Sequence, residues 1–328
     1  MAHDVKGLTM HTRTHNTRGA ALAIALTVLV ADPGWVSAQT NEIADFLQSF
    51  PRSFDRTDLP LDIRFMAEDG RTERHGAKCG TRPVGFLERA LVEAAVEDFL
   101  AGHGRWHRYG EVDIPVVFHL VRTADRVGHV KKKHAKKQIR ILNRAYKAQG
   151  FRFELQEIRR HTNDEFTRGC LDVEVEREFK RHNAVDPAHT LNIYTCIPED
   201  GVLGYSYQPW DFNETSFMHG VVLLYSTLPK GSARPYNLGD TLTHEVGHYL
   251  GLLHTFEGGC ADGDKVADTP AEQTPAYGCP HERDTCSAPG MDPVRNFMNY
   301  SDDSCMNKFT AGQGSRMQDM AAVFRRSL

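Results

Sequence analysis

Three histidines and a glutamate crowd the stretch THEVGHYLGLLHTF, residues 243–256. On a helix of about 3.6 residues per turn, His244 and His248 project one turn apart from the same face. Both imidazoles then reach one metal ion, with Glu245 beside them. Gly251 tolerates positive φ, so the helix ends and the chain turns there. His254 approaches the same ion from that turn. Three imidazoles leave a fourth position for water, the layout of a catalytic site and not of a closed structural one. A solvated helix that is merely rich in histidine has no need of a glycine and a third histidine at this spacing.

The surrounding pattern predicts the scaffold. VDIPVVFHLV (112–121) is β-branched and reads as a buried strand, and FRFELQEI (151–158) alternates as a half-buried one. Between them, 131–147 set Ile139, Leu142 and Tyr146 at helical spacing, and Gly150 ends that helix. A helix near 172–182 and strands at LNIYTC (191–196), LGYSYQ and GVVLLYS (220–226) follow, before a helix opening near Asp240. This is an α/β layer with a mixed sheet. Residues 257–308 are rich in Gly, Pro, Asp and Cys and predict irregular, disulfide-held chain; a helix over 311–325 closes the sequence. KKKHAKK (131–137) reads as a solvated helix face, since the net charge of −4 gives no general attraction to nucleic acid.

The N-terminus predicts export. Arg13 and Arg18 precede the apolar run Ala20–Ala31, and Val36-Ser37-Ala38 supplies a small-residue cleavage site, so 1–38 reads as a signal peptide from a start at Met1 or Met10. The run is too short to span a bilayer, which takes ~20 apolar residues, and no other stretch is apolar enough. Residues 39–108 are polar with one amphipathic segment, 84–100, and show no self-sufficient core. Seven cysteines in an exported chain should be mostly paired, with one thiol left over.

HEVGHYLGLLH fits H-E-x-x-H-x-x-G-x-x-H, the motif of metzincin metalloproteases, which also need a downstream Met-turn. NFMNYSDDSC (296–305) supplies one at Met298. Together with VADTPAE, FTAGQGSRM, LGYSYQPW and GVVLLYSTLPKG, the chain resembles the pappalysin-type metzincins over roughly 114–325, in particular the small secreted ulilysin-like and fungal members. The resemblance implies an α+β metzincin fold. Its α/β-type upper subdomain (109–254) holds a twisted, mixed five-stranded sheet with backing and active-site helices. An irregular disulfide-bonded lower subdomain (255–328) lies beneath.

It further implies a secreted zinc endopeptidase. His244, His248 and His254 hold zinc, Glu245 is the general base, Tyr300 stabilises the oxyanion, and Met298 floors the site. The LGYSYQ strand is expected as an exposed sheet edge to which an extended peptide or protein substrate is added. In the family, crossed disulfides tie the lower half, mapping to Cys260–Cys286 and Cys279–Cys305. Cys170 and Cys196, flanking one helix–strand unit, make the third pair. Cys79, in KCGTRPV, then matches a Cys-Gly-Thr switch whose thiolate ligates zinc in a latent zymogen. On this reading 39–108 is an inhibitory propeptide and 109–328 the catalytic domain, with activation near Arg105 or Arg108. Asp262, Asp264, Asp268 and Thr269 form an oxygen-rich loop expected to take calcium. Two other functions compete on the same residues: a catalytically silent binding protein on this scaffold, and a zinc hydrolase acting on non-peptide amides or esters.

Overall fold

The computed structural model describes residues 47, 56, 59–67, 69–103, 111–198 and 200–328. The expected signal peptide, both candidate start sites, and Arg105 and Arg108 lie outside the described residues. The elements are β1 (Ile63–Met66), β2 (Glu73–Gly76), α1 (Phe86–His103), β3 (Val112–Arg122), α2 (Lys132–Tyr146), β4 (Phe151–Thr162), α3 (Asp164–Gly169) and α4 (Val173–Asn183). They continue with β5 (Leu191–Cys196), β6 (Gly204–Ser206), β7 (Val221–Leu224), α5 (Asp240–Tyr249), α6 (Gly259–Asp262) and α7 (Ala311–Phe324).

Five strands form one sheet in the order β4-β3-β5-β7-β6, parallel except for β6, which pairs antiparallel at the edge. β5 and β7 are buried along their whole length, as strands covered on both faces must be. One face carries α2 and α5: Ile139, Leu142 and Tyr146 of α2 pack with Ile114, Val116, Ile193, Val221 and Val246. The other face meets Phe166 of α3 and Phe179 of α4 through Tyr194 and Tyr205. Pro115 sits opposite Glu154 of β4, while pairing with β5 begins only at Val116. Its missing N–H therefore breaks no ladder on the β5 side.

α2 is amphipathic, with Ala135, Gln138, Ile139, Leu142 and Tyr146 buried and its lysines outward. Gly150 ends the following turn at φ 77°, a left-handed conformation that glycine adopts without a Cβ penalty. The buried Tyr146 hydroxyl donates to Thr243 O at 2.7 Å and Gln138 Nε2 donates to Gly239 O at 2.8 Å. Those two bonds tie the backing helix to the helix that bears the histidines. Residues 257–308 contain only the short α6, and disulfides join Cys260 to Cys286 and Cys279 to Cys305; Cys170 joins Cys196 across α3 and β5.

The N-terminal segment folds against this body. The sequence predicts only short apolar stretches there, whereas Ile63–Met66 and Glu73–Gly76 form an antiparallel hairpin. Ile63 and Phe65 bury themselves against Ile197, Leu203 and Tyr236. The α1 residues Leu91, Val92, Ala95 and Phe99 pack on Trp210, Leu253, Met320 and Val323. Both apolar faces thus find partners in 111–328, each fully buried Leu, Val or Phe contributing about 1.5–3 kcal/mol.

Candidate active site

α5 carries the motif and is aimed by its ends. Asp303 Oδ2 accepts from the N–H groups of Leu238, Gly239 and Asp240 at 2.8, 3.2 and 3.3 Å, a carboxylate where the helix leaves its N–H groups unpaired. The helix stops at Tyr249, and Gly251 turns the chain at φ 90°. A Cβ on Gly251 would lie 2.5 Å from Met320 Cγ, so conformation and space both require glycine.

The turn brings His254 back onto His244 and His248, and all three are buried. His244 Nδ1 bonds Phe297 O at 2.7 Å, and His248 Nδ1 bonds Leu252 O at 2.8 Å. A carbonyl only accepts, so each Nδ1 carries the proton and each Nε2 presents a lone pair inward. His254 Nδ1 faces Glu257 Oε2 at 3.3 Å, which orients the third ring the same way. The Nε2 atoms of His244 and His254 lie 3.2 and 3.0 Å from that of His248. Burial first, then repulsion among the rings, holds His244 and His248 well below the usual histidine range. Three neutral lone pairs converging at this distance repel one another unless a cation sits among them. Cys79 Sγ joins the group, the four ligand atoms lying within 4.8 Å of one another. A donor set of three imidazole nitrogens and one sulfur suits a tetrahedral cation of borderline softness.

Glu245 is fully buried; its Oε2 accepts from Thr81 Oγ1 at 3.0 Å and lies 3.5 Å from Cys79 Sγ, while Oε1 has no partner among the described residues. Burial pushes its carboxyl up to about 8. Burial and the neighbouring Glu245 charge also raise the Cys79 thiol well above its ordinary range. Met298 is fully buried beneath the histidines, and a Cβ on Gly247 would meet its sulfur at 2.3 Å. The Met-turn therefore packs directly on the helix and supplies, through Phe297 O, the anchor of His244. The Tyr300 hydroxyl is 3.3 Å from His254 Nε2. A cavity of about 1030 Å³ opens beside it, lined in part by His254, Phe256, Tyr277 and Cys79.

The β6 edge is not open in the full chain, contrary to the exposed edge expected for LGYSYQ. Leu203 N donates to Ala77 O at 3.0 Å, and Gly80 N donates to Gly204 O at 2.8 Å. Ser206 N then bonds Thr81 Oγ1 at 3.0 Å. Residues 77–81 thus run beside 203–206 in the same direction and cover the edge's backbone groups.

The sequence reading missed several residues here. Lys78 Nζ lies 3.4 Å from Asp303 Oδ1, both side chains fully buried, and 4.0 Å from the Tyr236 ring centroid. Thr81 and Glu257, which hold Glu245 and His254, were not foreseen either. Lys78 and Thr81 flank Cys79, Asp303 follows the Met-turn, and Glu257 stands three positions after His254.

Among the described residues, Asp262, Asp264 and Asp268 do not gather as one ligand group. Asp262 is held by Lys265 and, at 3.0 Å, by Arg89. Asp268 Oδ2 accepts from Gly312 N at 2.8 Å. Asp264 and Thr269 are close enough to interact; Asp264 Oδ2 and Thr269 Oγ1 are buried without a well-formed hydrogen bond among the described residues.

Residues 182–322 match the peptidase family described as pregnancy-associated plasma protein-A. The chain is 40% identical to extracellular metalloprotease 1 of Coccidioides posadasii over 254 residues, 75% of this chain and 90% of the relative. It is 37% identical to an extracellular metalloprotease of Colletotrichum graminicola over 65% of this chain and 78% of that one. Among solved structures it is similar to Tannerella forsythia promirolysin, with a TM-score of 0.65 and 27% identity over 76% of this chain and 96% of that chain. Mature mirolysin in complex with a cleaved peptide gives 0.58 and 29% over 66% and 96%. With the converging histidines, the Met-turn beneath them and relatives matched over most of their length, the chain belongs to the pappalysin family of metalloproteases.

Proposed function

We propose that the chain is a secreted zinc endopeptidase made as a latent zymogen, with 1–38 as export signal, 39–108 as propeptide and 109–328 as catalytic domain. The observation that carries this reading is the convergence of the His244, His248 and His254 Nε2 atoms with Cys79 Sγ, beside the buried Glu245 carboxylate. The donor set and the fixed tautomers fit zinc. Bound there, zinc supplies Lewis-acid polarisation of the scissile carbonyl and lowers the pKa of its water toward ~7.

The chain's own groups do the rest. Glu245 takes a proton from the attacking water and returns it to the leaving amine, a role its place beside His244 on α5 suits. Tyr300, whose hydroxyl borders the centre, donates to the oxyanion as it develops. The backbone of β6, once free of residues 77–81, pairs with an extended peptide. In the full chain Cys79 takes the position water needs, and Thr81 ties up Glu245, so one short segment blocks both nucleophile and base.

For calcium, the unsatisfied Asp264 Oδ2 and Thr269 Oγ1 suit a hard, oxygen-seeking ion. We assign those two residues, not Asp262 or Asp268, to a structural calcium site.

The test is Glu245→Ala in the metal-loaded, proteolytically activated enzyme, assayed on a quenched peptide library. Zinc content should be unchanged and turnover should fall at least ~10²-fold. Bound zinc with no peptide turnover in the unsubstituted protein would favour the silent binding scaffold instead, and turnover confined to small esters the non-peptide hydrolase.

A further inference from the structure

The N-terminal segment makes one contact that neither blocks the metal centre nor covers the β6 backbone. Arg56 is buried, its guanidinium carbon 3.8 Å from the Tyr205 ring centroid and 5.3 Å from that of Tyr207. Its Nη1 is 3.8 Å from Glu176 Oε2, and its Nε donates to Gly80 O at 3.1 Å.

The receiving pocket is held together without Arg56. Tyr207 OH donates to Glu176 Oε2 at 2.7 Å, and the Tyr205 hydroxyl donates to Cys170 O. Lys180 Nζ lies 2.7 Å from Glu176 Oε1 and donates to Met218 O at 2.8 Å. Lys180 offsets the Glu176 charge and itself lies 5.3 Å from the Tyr207 ring centroid, so the attraction for a further cation comes chiefly from the Tyr205 ring face. A planar, weakly hydrated guanidinium stacks flat on such a ring, a contact an ammonium makes only as a point charge.

The pocket also lies where a peptide would pass. Along β6, Gly204 and Ser206 face Glu245: a Cβ on Gly204 would be 3.0 Å from Glu245 Cγ, and Ser206 Oγ donates to Glu245 O at 3.0 Å. Tyr205 and Tyr207 face the opposite side, because strand side chains alternate. A strand added beside β6 presents every second side chain to that side. The groups found against Tyr205 there, Arg56 and Gly80, both belong to the N-terminal segment.

We propose that Tyr205, Tyr207 and Glu176 form a guanidinium subsite, filled by Arg56 in the full chain and by an arginine side chain of the bound peptide once the N-terminal segment leaves. The proposal rests on the endopeptidase reading. It names a contact on the face of the sheet opposite Glu245.

The test uses zinc-loaded chain, activated by limited proteolysis and freed of the N-terminal segment. Matched peptides share one scissile bond and carry arginine, citrulline or lysine at each nearby position in turn. Citrulline keeps arginine's shape and loses its charge. At one position, arginine→citrulline should lower kcat/KM about tenfold, the scale of a desolvated cation–π contact. That ratio should shrink to about twofold in Tyr205→Leu and in Glu176→Gln, two variants so that misfolding of one leaves the other. Equal kcat/KM for arginine and citrulline at every position would overturn the subsite. So would a preference that persists undiminished in both variants, which would place the arginine contact elsewhere in the cleft. If no peptide is cleaved, the endopeptidase reading fails, and equilibrium binding of the same peptides decides the subsite: a tenfold arginine preference supports it and equal binding overturns it.

Discussion

The Cys79 sulfur lies 3.5 Å from Glu245 Oε2, at the point where it also meets the three histidine nitrogens. One thiol therefore contacts both the ligand set and the proposed base. Cys79→Ala removes the fourth ligand and opens that position to water. The variant is expected to show peptidase activity before any protease treatment, below that of the cleaved enzyme because Thr81 still holds Glu245. Undiminished latency in that variant would contradict the switch.

Gly251 is required twice over, by its φ of 90° and by Met320 only 2.5 Å from where a Cβ would stand. Gly251→Ala is expected to cost on the order of 1–3 kcal/mol in backbone strain alone. It also moves the turn that delivers His254. Thermal unfolding should show the loss, and zinc retained after dialysis against a chelator should fall relative to the parent protein.

Glu272 gives a pH dependence with a defined sign. Burial raises its carboxyl from 4.5 to about 6, against hydrogen bonds from Asn299 and Thr255 that pull it down. A folded-state value above the unfolded one means the native chain holds this proton more tightly. The group's contribution is greatest below about pH 4.5 and is lost as pH rises through about 6, a change of about 2 kcal/mol. Denaturant unfolding of the parent and Glu272→Gln at pH 4.5 and 7 should show the parent losing that much relative to the variant.

Calcium removal is the fourth expectation. EGTA should lower the melting temperature by several degrees, since a ligand at a hundredfold its Kd stabilises by about 2.7 kcal/mol. Calcium alone should restore it, and Asp264→Ala should abolish the response. Asp262→Ala should leave it intact, because Lys265 and Arg89 already hold that carboxylate.

These outcomes divide along what local sequence can carry. The histidine helix, the glycine turn and the central strands were legible because their signals repeat at short range: a four-residue step from His244 to His248, alternation along 151–158, a glycine after the last helical turn. The β1–β2 hairpin was not, because its four-residue strands owe their burial to Ile197, Leu203 and Tyr236. Lys78 and Asp303 meet across 225 positions, and nothing near either one announces the other. Asp262 looks in sequence like any acidic calcium ligand; Arg89, 173 positions earlier, takes it instead. LGYSYQ does lie at a sheet edge, and the residue that bonds Ser206 there, Thr81, stands 125 positions earlier.

The most direct measurement is zinc content and peptidase activity of the secreted full chain, before and after limited proteolysis that removes the N-terminal segment. One zinc per chain throughout, with activity appearing only after cleavage, is the predicted result. Full activity in the uncleaved chain, or a cleaved chain that holds zinc and hydrolyses no peptide, would contradict it.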